Sequence, residues 1–174
     1  FTYLINMIIN FLIRRGEMQH LSKENIGLVG EYLVAAELCK RDIYAQLTLG
    51  NHKKTDLLIE TENGAGCVSV KTKRGNAWPK VKGIWKECDY IVFVDFKDKS
   101  INDIPDFYIL TTEDWKEIIE TIGSKKEGSF IDPNTNTLYW DDKEGYLLRE
   151  GCQISVSDVK KYKDKWPTSI TVAI

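Results

Sequence analysis

The sequence predicts a single α/β domain in which helices and strands alternate along the chain. A length of 174 residues corresponds to one domain with a sizeable core. Hydrophobic residues make up 43% and charged residues 29% of the chain, and five tryptophans are present, which excludes general disorder. The nearly continuous apolar run YIVFVDF at 90–96 is typical of a strand that is buried on both faces, so we expect it at the centre of a sheet.

The region before that strand is predicted to contain one long helix and three strands. Ser22 is a candidate N-cap for a helix over 23–41. Strands are predicted at 43–49, 54–60 and 67–73. The last two form a hairpin, because the sequence TENGAG joins them and places glycines at the tip. A short helix is predicted at 82–87.

The region after the buried strand continues the alternation. A strand is predicted at 107–110, a helix at 112–122 and a short strand at 137–140. A last helix, opened by Ser and Asp, is predicted at 157–166. Neither internal repeats nor low-complexity tracts interrupt the pattern, so a solenoid or a disordered linker is excluded.

Residues 1–17 are predicted to lie outside the core domain, which then covers residues 18–174. The opening FTYLINMIINFLI has ten apolar residues in thirteen. As a helix it would span about 20 Å, less than the bilayer core of about 30 Å, and no signal-peptide cleavage site follows, so we predict no membrane span. Such a segment must be covered. We expect it to support a homodimer, with packing on the body of its own chain as the alternative.

Charge is segregated along the chain. The total of 24 basic and 26 acidic residues gives a net charge of -2 and excludes a uniformly cationic protein. Between residues 51 and 86, however, eight basic residues face three acidic ones, a local charge of +5. Such a stretch predicts a local surface for phosphate, as on DNA, whereas a solvated lysine-rich loop is the alternative.

The cysteines and histidines exclude several kinds of site. Four cysteines show neither zinc-site spacing nor the density of a disulfide scaffold, so we expect them to be reduced and mostly buried in a cytoplasmic protein. Two histidines are too few for a histidine-rich metal centre. A catalytic triad would depend on one of two histidines predicted to lie in surface loops.

Glu31 is the first candidate site residue. On the predicted helix its neighbours at three, four and seven residues are Gly27, Leu28, Val34, Ala35 and Leu38, so its carboxylate projects from an apolar stripe. A buried carboxylate is normally hydrogen-bonded, paired or bound to a metal, which makes Glu31 a better site candidate than a glutamate on a polar face. A salt-bridged core acid is the alternative to a functional site.

The hairpin supplies the second group of candidates. If Leu57 and Ile59 share the buried face with Val68 and Val70, strand alternation places Asp56, Ser69 and Lys71 on the other face. Directly paired residues should then have numbers with an odd sum. An exposed polar sheet face would give the same pattern, but Glu31 could pack over that face and complete a cluster of two acids and a lysine.

These motifs resemble the PD-(D/E)xK nuclease superfamily, especially its restriction endonuclease-like and Holliday junction resolvase-like members. The helix sequence GLVGEYLVAAEL at 27–38 is similar to the family's first helix. The sequence TDLLI at 55–59 resembles its aspartate strand, and VSVKTK at 68–73 its (E/Q)xK strand. The resemblance covers residues 22–111. It implies a restriction endonuclease-like fold, a central mixed β-sheet flanked by helices, and Mg²⁺-dependent (or Mn²⁺-dependent) hydrolysis of DNA.

The resemblance also implies roles for individual residues. Glu31, Asp56 and the carbonyl of Val70 would hold the metal, and Lys71 would orient the attacking water. Ser69 stands where Glu or Gln is usual. Either Glu31 supplies the missing carboxylate, or the chain is an inactive nuclease-fold module that binds nucleic acid or a protein partner. The residues expected to contact DNA are Lys53, Lys54, Lys73, Arg74, Trp78 and Lys80; for Trp78, burial beneath a loop is an equal alternative.

Overall fold

The computed structural model describes residues 3–6, 21–48, 55–62, 64–100, 102–141 and 148–168. Apart from residues 3–6, which are helical, the elements in chain order are α1 (Lys23–Cys39), β1 (Tyr44–Leu47), β2 (Leu57–Thr61), β3 (Gly64–Lys73), β4 (Ala77–Val81), β5 (Tyr90–Asp95), β6 (Asp106–Thr111), α2 (Thr112–Gly123), β7 (Phe130–Asp132), β8 (Thr137–Asp141), β9 (Leu148–Glu150), β10 (Cys152–Ser155), α3 (Val156–Val159) and a 3₁₀ turn (Lys160–Tyr162).

A mixed five-stranded sheet forms the centre of the fold, in the order β1-β2-β3-β5-β6. Strands β3 and β5 are parallel, and the other neighbours are antiparallel. Strand β5 is buried along its whole length, as its apolar run predicts, and lies between β3 and β6. The middle strand of the sheet is β3. The predicted α/β class with helices flanking a central mixed sheet is thus confirmed.

Helix α1 packs on one face of this sheet. The Ser22 side chain accepts a hydrogen bond from the Asn25 N–H and so caps the first turn. The buried positions recur every four residues and are Ile26, Gly30, Val34 and Leu38. The three apolar side chains among them belong to the same core cluster as Val68 and Val70. At Gly30 the helix approaches β3 most closely, because a Cβ there would lie 2.0 Å from Thr72 Oγ1.

Two glycines of α1 give a matched pair of stability predictions. Gly30→Ala should destabilise the protein by about 1–3 kcal/mol, because the added methyl must push α1 away from β3. Gly27→Ala should stabilise it by about 0.5–1 kcal/mol, because alanine favours a helix and no atom lies within 4 Å of the new Cβ. Urea denaturation measures both changes. Equal effects of the two substitutions would contradict this close approach of helix and strand.

The other face of the sheet is covered by α2 and by the small sheets. Helix α2 begins with a capping box formed by Thr111 and Asp114, and its buried Trp115 packs in one cluster with Ile91 and Phe93 of β5. Strand β4 pairs with β10 to form a two-stranded sheet, and Trp78 of β4 belongs to the same cluster. The second layer therefore lies on the side of the sheet to which Lys73 of β3 also points, since its ammonium lies over the Trp78 ring.

Two sequence-based assignments are wrong in this part of the chain, and one strand is missed. Residues 82–87 are not helical: the Ile84 carbonyl accepts from Asn136 Nδ2, and Gly83 packs against the Asn136 backbone. Strand β4 lies where the sequence predicts no helix or strand, because its partner β10 is distant along the chain. The helix predicted at 157–166 ends at Val159 and continues as a 3₁₀ turn, because Lys163 bridges to Tyr108 and the Asp164 N–H donates to the Phe107 carbonyl.

The cysteines confirm one expectation and contradict another. All four lie within the described residues and form no disulfide bond, but only Cys152 is buried. Burial raises the pKa of the Cys152 thiol to about 12.

Among the described helices, none combines the length and apolar character needed to cross a membrane. Of the segment 1–17 only residues 3–6 are described, and Tyr3 and Leu4 there are exposed; the rest lies outside the described residues.

Candidate functional site

The hairpin has the register that the sequence predicts. Leu57 pairs with Val68 and Ile59 with Gly66, so the numbers of paired residues have an odd sum. Leu57, Ile59, Val68 and Val70 are all buried in the cluster beneath α1. The polar positions of β3, Ser69 and Lys71, consequently point to the opposite face, towards the end of the hairpin at which Asp56 lies.

Asp56 caps the edge of β3 at the point where β2 begins. Its backbone N–H donates to the Val68 carbonyl, and its Oδ2 accepts the Val70 N–H at 2.5 Å. A carboxylate thus takes the place of a strand residue beside Val70. Oδ2 is also 3.5 Å from Ser69 Oγ, whereas Oδ1 has no hydrogen-bond partner in the described part of the chain.

Lys71 lies directly over the same oxygens. Its Nζ donates to Ser69 Oγ at 2.7 Å and to the Val70 carbonyl at 3.3 Å, and it is 3.9 Å from Asp56 Oδ2. The side chain is 35% exposed, so this cluster is accessible from solvent. The structure therefore brings together Asp56, Ser69 and Lys71, as the strand pattern predicts, and places the Val70 carbonyl beside them.

Glu31 approaches this cluster from the other side of the sheet. The expectation that it packs over the face of Lys71 is wrong, because α1 contacts the face of Val70 and Thr72. Its half-buried carboxylate is nevertheless close enough to interact electrostatically with Asp56 and Lys71. Burial raises the pKa of the Glu31 carboxyl, the Asp56 charge raises it further, and the Lys71 charge opposes the shift. Within the described residues Glu31 has no hydrogen-bond partner.

This pKa shift predicts a pH-dependent stability. Because the folded-state pKa of Glu31 lies above its ordinary value of 4.5, the folded state binds more protons than the unfolded state in that window. The free energy of unfolding contributed by this group should fall as pH rises from about 4.5 through the raised pKa. Urea denaturation of Glu31→Gln across this range should show a smaller fall than the wild type. Identical pH profiles would exclude Glu31 as the source.

The oxygens of this cluster are chemically suited to a hard divalent cation that is held by few protein ligands. Two carboxylates, Glu31 and Asp56, and the Val70 carbonyl are oxygen ligands of the kind that Mg²⁺ prefers, and Mg²⁺ keeps several waters in such sites. Among the residues that the structure describes, no cluster of three or more His, Cys, Asp or Glu side chains suited to a metal is present. Ser69 Oγ, a neutral oxygen, stands where a third carboxylate would strengthen the site.

Two residues expected to contact DNA are engaged inside the protein instead. Lys73 is 5% exposed and its Nζ lies 2.5 Å from Asp95 Oδ1, so its charge is already neutralised. Trp78 is 2% exposed, and its Nε1 donates to the Val94 carbonyl at 3.3 Å, so its ring cannot stack on a base. The alternative for Trp78, burial beneath a loop, is confirmed as to burial, but the ring belongs to strand β4 and packs against Phe93 and Tyr108.

The remaining cationic candidates differ in their exposure to solvent and in whether the structure describes them. Lys80 is exposed on β4, where its φ is +52°. Arg74 is half-buried and interacts with neighbouring groups. Lys53 and Lys54 lie outside the described residues. The local charge is also lower than the sequence indicates, because Lys82 pairs with Glu150 at 2.5 Å.

Sequence reasoning did not select Asp95 as the partner of Lys73. The two residues are paired in the parallel β3–β5 register. A signal was available, since Asp95 is a charged residue within an otherwise apolar run, and buried acids normally have a partner. Identifying that partner required the strand order, because 22 residues separate the pair along the chain.

Comparison of the chain with protein-family models and with curated proteins gives no match. The geometry of the site is therefore the basis for proposing a function.

Proposed function

We propose that this protein is a Mg²⁺-dependent DNA endonuclease with a restriction endonuclease-like fold of the PD-(D/E)xK kind. One observation carries the proposal. Asp56 caps the edge of β3 through the Val70 N–H at 2.5 Å, while Lys71 Nζ lies 3.9 Å from the same carboxylate oxygen. A carboxylate, a backbone carbonyl and an ammonium thus converge on one accessible point beside a strand edge.

In the proposed reaction each residue has a distinct task. Asp56, the Val70 carbonyl and Glu31 would hold Mg²⁺. Bound there, the metal would supply the Lewis acidity that activates water and offsets the charge developing on the scissile phosphate. Lys71 would donate a hydrogen bond to the attacking water and hold it in line with the phosphorus atom. Water would add to phosphorus as the bond to the departing ester oxygen breaks. The attacking water would lose a proton to solvent, and the departing oxygen would take one up from solvent.

The DNA backbone would be held by cations around this point. Of the candidates, Lys80 is exposed and Arg74 is partly accessible, and we propose that both contact phosphates flanking the cleaved bond. Lys53 and Lys54 precede Asp56 in the chain and are proposed for the same role. Lys73 and Trp78 are omitted from this interface because they are buried.

A cleavage assay tests the proposal. The full chain is incubated with labelled single-stranded, duplex and branched DNA, with Mg²⁺, with Mn²⁺ or with EDTA. We expect cleavage of at least one substrate with either divalent cation and none with EDTA. Intact DNA under every divalent condition would reject the nuclease activity.

A second candidate is a catalytically inactive nuclease-fold module that binds nucleic acid or a protein partner. The contact between Lys71 Nζ and Ser69 Oγ at 2.7 Å favours it, because a neutral hydroxyl stands where a charged ligand would strengthen metal binding. This candidate predicts DNA binding by gel shift with or without divalent cation and no cleavage.

We also propose that the apolar segment 1–17 supports a homodimer, which would present two sites to two DNA strands. A chain shortened to begin at Met18 should then remain folded by circular dichroism and run as a monomer by light scattering. If the shortened chain still runs as a dimer, the dimer contact lies elsewhere. If the shortened chain is unfolded, the segment belongs to the core.

A further inference from the structure

The lysine of the candidate site contacts the oxygens that would hold the metal. Lys71 Nζ is 3.3 Å from the Val70 carbonyl oxygen and 3.9 Å from Asp56 Oδ2, and it donates to Ser69 Oγ at 2.7 Å. Val70 and Asp56 contribute two of the three proposed protein ligands. A single ammonium therefore lies among the oxygens of one cation site.

We propose that Lys71 is a built-in competitor of the divalent cation for the oxygens of Asp56 and Val70. This inference rests on the proposed function, since it concerns regulation of the same site. It assigns Lys71 a second role besides orienting water: the ammonium sets the concentration of divalent cation at which the site fills.

The surroundings of Lys71 hold its ammonium in this position. Ser69 is 8% exposed, and its hydroxyl is the closest acceptor of Lys71 Nζ. Because Ser69 carries no charge, it anchors the ammonium without adding a carboxylate that would favour a divalent ion. The other charged groups that act on this point are Asp56, which caps the strand edge, and Glu31, which approaches from α1. Both carboxylates attract either cation.

The magnitude of the competition follows from the charge. The Lys71 ammonium lies 3.9 Å from Asp56 Oδ2 and would repel a divalent cation bound to the same oxygen, and its 35% exposure screens this repulsion to about a tenfold effect on affinity. Removing the ammonium should therefore strengthen divalent binding about tenfold. Loss of the water-orienting group should at the same time leave cleavage slower, so affinity and activity change in opposite directions.

Isothermal titration of the full-length protein with Mn²⁺, without DNA, tests the inference. Lys71→Met, and Lys71→Gln as a second neutral variant, should bind Mn²⁺ about tenfold more tightly than the wild type. Lys71→Arg retains the charge and should show no such gain. Lys125→Met removes a charge from exposed Lys125 after helix α2 and should bind Mn²⁺ as the wild type does, which controls for net charge.

The outcomes separate this inference from the proposed function. If the wild type binds Mn²⁺ and both neutral variants bind it equally or more weakly, Lys71 is not a competitor and the metal site stands. If neither the wild type nor the variants bind Mn²⁺, the metal site and the competitor are both rejected. An equal gain in Lys125→Met would attribute the effect to net charge and also overturn the inference.

Discussion

Replacing Asp56 with asparagine is expected to lower Mg²⁺-dependent DNA cleavage by a factor on the order of 10²–10³, because the charged metal ligand is lost. The fold should survive, since the asparagine carbonyl oxygen can still accept the Val70 N–H that Asp56 Oδ2 accepts at 2.5 Å. Initial rates of cleavage at saturating Mg²⁺, together with circular dichroism spectra, measure the two effects.

The control for this substitution is Asp42→Asn. Asp42 is an exposed turn residue with a φ of +59°, a conformation that asparagine also adopts readily, so cleavage should equal that of the wild type. The same chemical change is thereby made outside the site. Wild-type rates in Asp56→Asn would reject the assignment of the site.

Lys71→Ala should give a loss of similar size, on the order of 10²–10³, because the group that orients the attacking water is removed. The protein should remain folded, as Lys71 is 35% exposed and only donates hydrogen bonds to Ser69 and Val70. A full cleavage rate in this variant would remove Lys71 from the mechanism and would leave the metal ligands unaffected.

The largest expected loss of stability comes from breaking the buried pair of Lys73 and Asp95. The two side chains are only 3% and 8% exposed. Lys73→Met leaves the Asp95 charge buried without its ion-pair partner, while the Lys97 N–H still donates to Asp95 Oδ1 at 2.8 Å. Breaking a buried ion pair in this way typically costs about 3–5 kcal/mol. Lys73 also donates to the Gly75 carbonyl at 3.0 Å and lies over the Trp78 ring, so these contacts are lost as well. Urea denaturation measures the difference in the free energy of unfolding.

Two further variants make this prediction specific. The double variant Lys73→Met with Asp95→Leu removes both charges and should be more stable than Lys73→Met alone, because no uncompensated charge remains buried. Lys116→Met breaks the exposed pair with Glu113 and should cost less than about 1 kcal/mol. A cost below about 1 kcal/mol for Lys73→Met would show that Asp95 is solvated despite its burial.

The local sequence pattern predicts most elements of the fold. Leucine, valine and isoleucine at spacings of three and four identify α1, and Ser22 marks its start. The apolar run of β5 predicts a strand buried on both faces, and the alternation in β3 predicts which residues share a face. These predictions succeed because each depends on neighbours within one turn or one strand. The same alternation alone brings Asp56 to the side of Ser69 and Lys71.

The misassigned segments depend on contacts between distant parts of the chain. Strand β4 exists because β10, about 75 residues later, supplies its hydrogen bonds. The segment 82–87, expected to be a helix, is irregular because Asn136 Nδ2 donates a hydrogen bond to the Ile84 carbonyl. No pattern within either segment carries this information.

For the site, the sequence by itself determined which residues of the hairpin lie on the same face. Side chains alternate between the two faces of a strand, and one face must be buried. Only the tertiary structure decided that Glu31 approaches from the opposite face, because Gly30 lets α1 pack against Thr72. It likewise decided that Lys73 and Trp78 serve the interior. Lysine and tryptophan carry both polar and apolar groups, and the layer above them determines whether those groups meet solvent or protein.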